Sequence, residues 1–251
     1  MDIGRYFNRI KLETPPKPDL ESLNKLHLQH MLYVPFENLD IHAGRKINLE
    51  PELLYEKIVE KKRGGFCYEM NGLFFEIITR IGFKAKRISA RVYNPEGEPG
   101  REFDHMAIIV TLNSGERLCD VGFGDSFLEP LKFEPESAQK QFGKIYKIVK
   151  FEEENFKIVC SSDGKKFEDM YRFSLIPREL YEYDEMCRFH QSSPESHFTK
   201  NKICTLARTD GRITLSGMKF IETKNGVKTE TDVKNAEEYN GMLKELFGIV
   251  L

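Results

Sequence analysis

At 251 residues, 40% of them hydrophobic, the chain is long enough to bury a substantial core as one large domain or as two to three packed subdomains. Its 38 basic and 40 acidic residues are interspersed and leave a formal charge of -2, which argues against the clustered basic face of a nucleic-acid binder. Five cysteines without paired spacing give no disulfide framework, and no apolar run resembles a signal peptide or a membrane span, so a soluble cytoplasmic protein is expected.

Asp19 can cap a helix that carries Leu20, Leu23, Leu26 and Met31 and ends before Pro35. Pro51 opens a second helix, running through Leu54 and Ile58 to a stop at Gly64-Gly65, with Lys61, Lys62 and Arg63 as cations at its end. A third begins at Cys67 and places Leu73, Phe74, Ile77, Ile78 and Ile81 at helical spacing before Gly82. From Lys84 the pattern changes to short apolar runs divided by turn residues, at 88–93, 105–112, 118–121, 145–151, 156–160 and 170–173. This predicts a meandering antiparallel sheet or small barrel. A polar helix around 179–188 leads into Gln191-Ser192-Ser193-Pro194-Glu195-Ser196, which reads as a linker. Strands joined by Asp210-Gly211 and Asn225-Gly226 follow, and a last helix runs from about Ala236 to Phe247. There is no internal repeat or low-complexity tract.

The chemistry concentrates in Arg63-Gly64-Gly65-Phe66-Cys67-Tyr68-Glu69-Met70-Asn71-Gly72. The glycine pair can take backbone angles closed to other residues, and Cys67 lies at a helix N-terminus. There the partial positive charge lowers a thiol from its ordinary pKa of about 8.5. A buried structural cysteine is the plainer alternative. His105 opens an apolar strand after the turn-rich stretch 94–100, and the next strand, beyond Asn113-Ser114-Gly115, reaches Asp120. Counted from that turn, His105 and Asp120 both lie toward the open end of the hairpin. An aspartate in an apolar strand needs a partner, because burying a lone carboxylate is costly, and His105 is the nearest candidate. In that order His105 takes the thiol proton and Asp120 fixes the imidazole tautomer. Taken singly, His105 also reads as a satisfied core histidine and Asp120 as a turn cap through Gly122. His27 and His30 share a helical face, but zinc needs three or four ligands and no further one stands nearby, so no metal is expected. Cys119 should point to the core, opposite Asp120. Cys160, Cys187 and Cys204 read as structural.

Four blocks, Pro35-Phe36-Glu37-Asn38-Leu39, Arg63 to Asn71, the His105 strand, and Asp120-Val121-Gly122-Phe123-Gly124, together resemble the arylamine N-acetyltransferase family in order and spacing along most of the chain. The resemblance implies an α+β fold: an N-terminal helical bundle at 1–83, an antiparallel β-barrel at 84–192 and a C-terminal α/β lid at 193–251, with a papain-like Cys-His-Asp core. It implies a triad of Cys67, His105 and Asp120. It also implies ping-pong transfer of an acetyl group from acetyl-coenzyme A, as co-substrate, through an acetyl-cysteine to the nitrogen of arylamines, arylhydrazines or arylhydroxylamines. Phe123 and Gly124 would then line the site, with Phe36 and Phe198 as further pocket residues; from composition alone Phe36 is core filling, and His197 is a surface residue. One departure stands out. Asp125 adds a carboxylate where a small neutral residue better suits an anionic coenzyme A. Arg63 and Glu37 can form a supporting ion pair, although a solvated helix-end arginine is simpler. The partners implied are acetyl-coenzyme A and small aromatic amines, with neither nucleic acid nor membrane; the oligomeric state is not readable. The competing readings are a cysteine hydrolase or transglutaminase-like enzyme, and a binding protein that holds coenzyme A or an aromatic compound without turnover.

Overall fold

A computed structural model describes residues 1–251. The first third is helical: α1 (Ile3–Arg9), α2 (Leu20–Tyr33), a two-residue strand β1 (Phe36–Glu37), α3 (Leu39–His42), α4 (Pro51–Tyr55) and α5 (Cys67–Ile81). Asp19 caps α2 as predicted, accepting the Ser22 N–H at 2.9 Å. The helix expected to run from Pro51 to the glycine pair is shorter. It ends at Tyr55 and widens into a π-helical turn, Glu56–Glu60. That turn carries Lys57, which contacts the buried acids Asp40 and Glu69.

The second sheet-forming stretch holds β2 (Lys84–Val92), β3 (His105–Leu112), β4 (Gly115–Cys119), β5 (Leu131–Lys132), β6 (Gln139–Gln141), β7 (Lys144–Glu152), β8 (Asn155–Ser161) and β9 (Glu168–Arg178). They pair antiparallel in the order β5-β4-β3-β2-β9-β8-β7-β6, curling into a nearly closed barrel. The remaining seam, between β5 and β6, carries no backbone ladder and is bridged by side chains. Gln139 bonds both the N–H and the carbonyl of Lys132, at 2.8 and 2.9 Å. Gln141 does the same to Glu129, at 3.0 and 2.9 Å. β3 is apolar throughout because both its faces are buried: Ala107 and Ile109 face the barrel core with Ile88, Leu118 and Tyr146, while Met106, Ile108 and Val110 pack with α5. β4 stops at Cys119, so the strand predicted to include Asp120 and Val121 releases them into a loop.

After a 3₁₀ turn at Leu180–Tyr183 come α6 (Asp184–Ser192) and α7 (His197–Lys200), then β10 (Ile203–Arg208), β11 (Gly211–Ser216), β12 (Lys219–Lys224), β13 (Val227–Asp232) and α8 (Ala236–Phe247). The segment read as a linker is ordered structure: α6 runs to Ser192, and buried Ser196 caps α7 by accepting the Phe198 N–H at 3.2 Å. The last four strands join β1 in a sheet ordered β1-β10-β11-β12-β13. Asn225 and Gly226, with φ of 50° and 82°, form the hairpin turn between β12 and β13. Tyr239, Leu243 and Phe247 of α8 pack on Cys204, Ile213 and Leu215 of this sheet. No helix is long and apolar enough to cross a membrane.

Candidate active site

Cys67 is the first residue of α5 and is 3% exposed. The turn before it works differently from the sequence expectation. Neither Gly64 nor Gly65 has a positive φ. Both are needed for space: a Cβ on Gly64 would lie 1.8 Å from the Pro35 carbonyl oxygen, and one on Gly65 would lie 2.6 Å from Glu69 Cβ. The close approach brings β1 alongside, where Glu37 N–H donates to the Gly65 carbonyl at 2.9 Å. Glu69 closes the helix start by accepting the Phe66 N–H at 3.1 Å.

His105 Nε2 lies 2.8 Å from Asp120 Oδ2, with both side chains buried. Extending the β3–β4 register, in which Ile108 faces Cys119, sets Asp120 against Ala107 and hence on the same face as His105. Asp120 Oδ1 also accepts the Gly122 N–H at 3.0 Å, so the residue caps its turn and holds the histidine at once. Asn71, one turn along α5 from Cys67, ties the helix to this loop. It donates to Asp120 Oδ1 at 2.9 Å and to the Met106 carbonyl at 2.7 Å, and its own oxygen accepts the Val121 N–H at 2.9 Å. Gly122 then passes so close that a Cβ there would lie 2.8 Å from both Cys67 Cα and the Cys67 carbonyl oxygen.

His27 is a brace that the sequence did not disclose. Its Nε2 accepts the Asp120 N–H at 3.0 Å and its Nδ1 donates to the Leu128 carbonyl at 2.8 Å. The ring is stacked on Phe127. Burial overrides these hydrogen bonds and lowers its pKa to about 4, so it is neutral at pH 7. His30, on the same helix, bonds the Tyr6 hydroxyl at 2.8 Å. No group of three or more His, Cys, Asp or Glu side chains suited to a metal ion is present.

Cys67, His105, Phe36, Phe123, Gly124 and Phe198 line one cavity of about 600 Å³ between the helices, the barrel and the β10–β13 sheet. A family model described as N-acetyltransferase matches residues 19–251. A pineal gland isozyme of arylamine N-acetyltransferase from Gallus gallus, NAT-10, is 33% identical, the match covering 100% of this chain and 95% of the relative. The chain belongs to the arylamine N-acetyltransferase family. Among solved structures of the family, the M. smegmatis enzyme superposes with a TM-score of 0.93 at 28% identity, over 100% of this chain and 93% of that one. The Mycobacterium marinum enzyme in complex with CoA superposes with a TM-score of 0.91 at 26% identity, over 99% of this chain and 93% of that one.

In this family member the thiol is more deeply buried than the helix-end argument assumed. Burial pushes the Cys67 thiol well up, Asp104, Cys187 and Asp120 push the same way, and the Tyr68 N–H acts against them. Desolvation therefore outweighs the helix terminus. Burial also acts to raise the Asp120 carboxyl, but the His105 charge and the hydrogen bonds from His105, Asn71 and Gly122 overcome it and hold the carboxyl below its ordinary value.

Of the two readings of Arg63, the ion pair with Glu37 holds and the simpler solvated one does not: the side chain is buried. Its Nη2 lies 2.7 Å from Glu37 Oε1 and 3.1 Å from Asp40. Lys57 joins the same network, 2.8 Å from both Asp40 and Glu69. Burial raises the Glu69 carboxyl to about 7 against the pull of Lys57. Asp125 does not stand as a free anion at the cavity wall. Its Oδ1 is 2.9 Å from Lys144 and 3.4 Å from Arg212, so the carboxylate is set against two cations. His197 is exposed, as expected.

Proposed function

We propose that Cys67 is the nucleophile of an acetyl-coenzyme A-dependent arylamine N-acetyltransferase, with His105 as its proton acceptor and Asp120 as the residue that holds His105. The observation that carries the assignment is the His105–Asp120 pair, 2.8 Å apart and opening on the aromatic-walled cavity that also contains Cys67. Because Nε2 is engaged by Asp120, Nδ1 is the nitrogen left for the thiol. A lone thiolate is disfavoured in this buried setting, so the proton moves to His105 and the reactive form is a thiolate–imidazolium pair, which keeps the local charge unchanged.

Cys67 Sγ attacks the thioester carbonyl, and coenzyme A leaves as a thiol with the proton returned by His105. Exchange of one thioester for another is close to isoenergetic. The arylamine nitrogen, unprotonated at neutral pH because of its low basicity, then attacks the acetyl-cysteine, gives its proton to His105 and regenerates the Cys67 thiol. The unpaired Cys67 N–H at the start of α5 supports the developing oxyanion. On this reading residues 1–83 supply the nucleophile, 84–192 the acid–base pair with Phe123 and Gly124, and 193–251 Phe198 and the outer wall. Phe36, Phe123 and Phe198 hold the aromatic ring. Five free cysteines suit the cytoplasm as the working compartment.

The test is coenzyme A release from acetyl-coenzyme A with and without an arylamine, beside Cys67→Ala. Release that depends on the amine and falls at least about 10³-fold in Cys67→Ala is expected. Equal release without amine would make the protein a hydrolase, and full activity in Cys67→Ala would refute the nucleophile.

A further inference from the structure

Asp104 immediately precedes His105, and the acetyl-transfer scheme gives it no part. Its carboxylate, 18% exposed, lines the same cavity as Cys67, His105 and Phe123. After burial it is the charge that weighs most on the Cys67 thiol, and it weighs against the thiolate. A carboxylate so placed works against the chemistry of the nucleophile, yet it is firmly held.

The Tyr68 hydroxyl donates to the carbonyls of Phe103 and Asp104, at 2.7 and 3.1 Å. Val92 N–H donates to Asp104 Oδ2 at 3.3 Å. Gly100 leaves room for that oxygen, since a Cβ there would come within 2.5 Å of it. The remaining neighbour is His190, buried at 2% exposure, with Nε2 3.1 Å from Asp104 Oδ1 but off the hydrogen-bond axis. His190 Nδ1 lies 3.0 Å from Ser196 Oγ. That oxygen also accepts the Phe198 N–H at 3.2 Å. The other acid on the cavity wall, Asp125, faces Lys144 and Arg212 instead. No Lys or Arg lies within ion-pair distance of Asp104, which sets it apart from Asp125 on the same wall. His190 also packs edge-on against the Phe198 ring, 5.2 Å between centroids, so one side chain positions both the acid and an aromatic wall.

We propose that Asp104, positioned by His190, is the specificity determinant of the acceptor pocket: it favours arylamines and arylhydrazines carrying an additional hydrogen-bond donor over those carrying a ring carboxylate. A charged acceptor in a site largely removed from water gains about twice as much from an N–H donor as a neutral one does, and it repels a second carboxylate. The claim rests on the transferase reading above.

The experiment compares 4-aminobenzamide with 4-aminobenzoate, near isosteres that differ in donor and charge, as acceptors for the wild-type protein and for Asp104→Asn. Wild-type kcat/KM should favour the amide roughly tenfold, and Asp104→Asn should bring the two within about twofold, mainly by lowering the KM of the benzoate. His190→Gln, whose amide can still donate toward Asp104 and accept from Ser196, should keep the wild-type preference. An undiminished preference in Asp104→Asn, or no wild-type preference, overturns the proposal. Should Asp104→Asn not fold, competition by benzamide and benzoate against the wild-type protein decides: tighter inhibition by benzamide supports the claim, and equal or tighter inhibition by benzoate overturns it. A wild-type protein that releases no coenzyme A with any amine fails the transferase reading itself, a result distinguishable from equal use of both acceptors.

Discussion

α5 is held from two sides by opposite kinds of chemistry. Behind it Glu37, Asp40, Lys57, Arg63 and Glu69 form a buried network of ionisable side chains. In front, His27, Asn71 and the Gly122 backbone fix Asp120 and the Cys67 turn through neutral donors and close contact. The charged side resists separation, because removing one member strands another charge in the interior. The neutral side holds positions without placing further charge beside the thiol. On the proposed mechanism the buried Cys67 thiol becomes a thiolate, which is sensitive to nearby carboxylates, and keeping the brace on Asp120 neutral avoids adding to that burden.

Mutation and pH should separate the two sides. The largest effect is expected behind the helix: Arg63→Ala leaves Glu37 and Asp40 short of a cation and should cost about 3–5 kcal/mol in urea unfolding, with activity lost in proportion to unfolding. Next is the acid limb in front. Because the His27 pKa is 6.5 in the unfolded chain and about 4 in the folded one, the unfolded state binds the extra proton first. This contribution to stability is full above pH 6.5 and declines as pH falls toward 4, by about 3 kcal/mol in all. His27→Gln, able to keep both hydrogen bonds, should flatten that limb; an unchanged pH dependence would show that His27 is not its source. Glu69 acts in the other direction. Its folded pKa is raised to about 7, so its contribution is full below its ordinary value of 4.5 and is lost as pH rises toward 7. Glu69→Gln should remove this alkaline decline.

Gly122→Ala should act on catalysis. With its Cβ against Cys67 Cα, the turn must shift by a fraction of an ångström to about one, and a displacement of that size lowers turnover about 10²-fold. The melting temperature should move little by comparison; a large drop in it with unchanged turnover per folded molecule would place Gly122 with the stabilising side. The smallest effect is expected far from both sides. Gln141→Ala opens two seam hydrogen bonds and should cost about 1–2 kcal/mol.

Local signals were readable wherever one residue type has one physical use. The Asp19 cap, the Asn225-Gly226 turn and the limits of α8 follow from such signals. Cys67, His105 and Asp120 stood out because a helix-start thiol, a strand-start histidine and an acid in an apolar strand each raise a question about partners. What surrounds them was harder to read. His27 was noted only for sharing a helical face with His30, and its role as a brace was unreadable, since spacing along α2 says nothing of Asp120 and Leu128, which meet it across the core. Asn71 was invisible inside its helix, and the Arg63–Glu37 pair was legible only as the less simple of two readings, because the acids arrive from a strand and a helix earlier in the chain. The glycine pair was identified as special for the wrong reason: its requirement is room beside Pro35 and Glu69, which no dihedral preference reveals. The thiol pKa was misjudged likewise, because a helix end is local and burial is not.

The glutamine-closed seam has a consequence for the protein's behaviour in company. An eight-stranded sheet that stopped short of closure would offer two unpaired strand margins to any extended chain nearby, an invitation to strand addition and fibre growth. Gln139 and Gln141 occupy the N–H and carbonyl of Lys132 and Glu129 from within the same molecule. They therefore act as a built-in competitor: a second chain can template on this margin only after both amides let go.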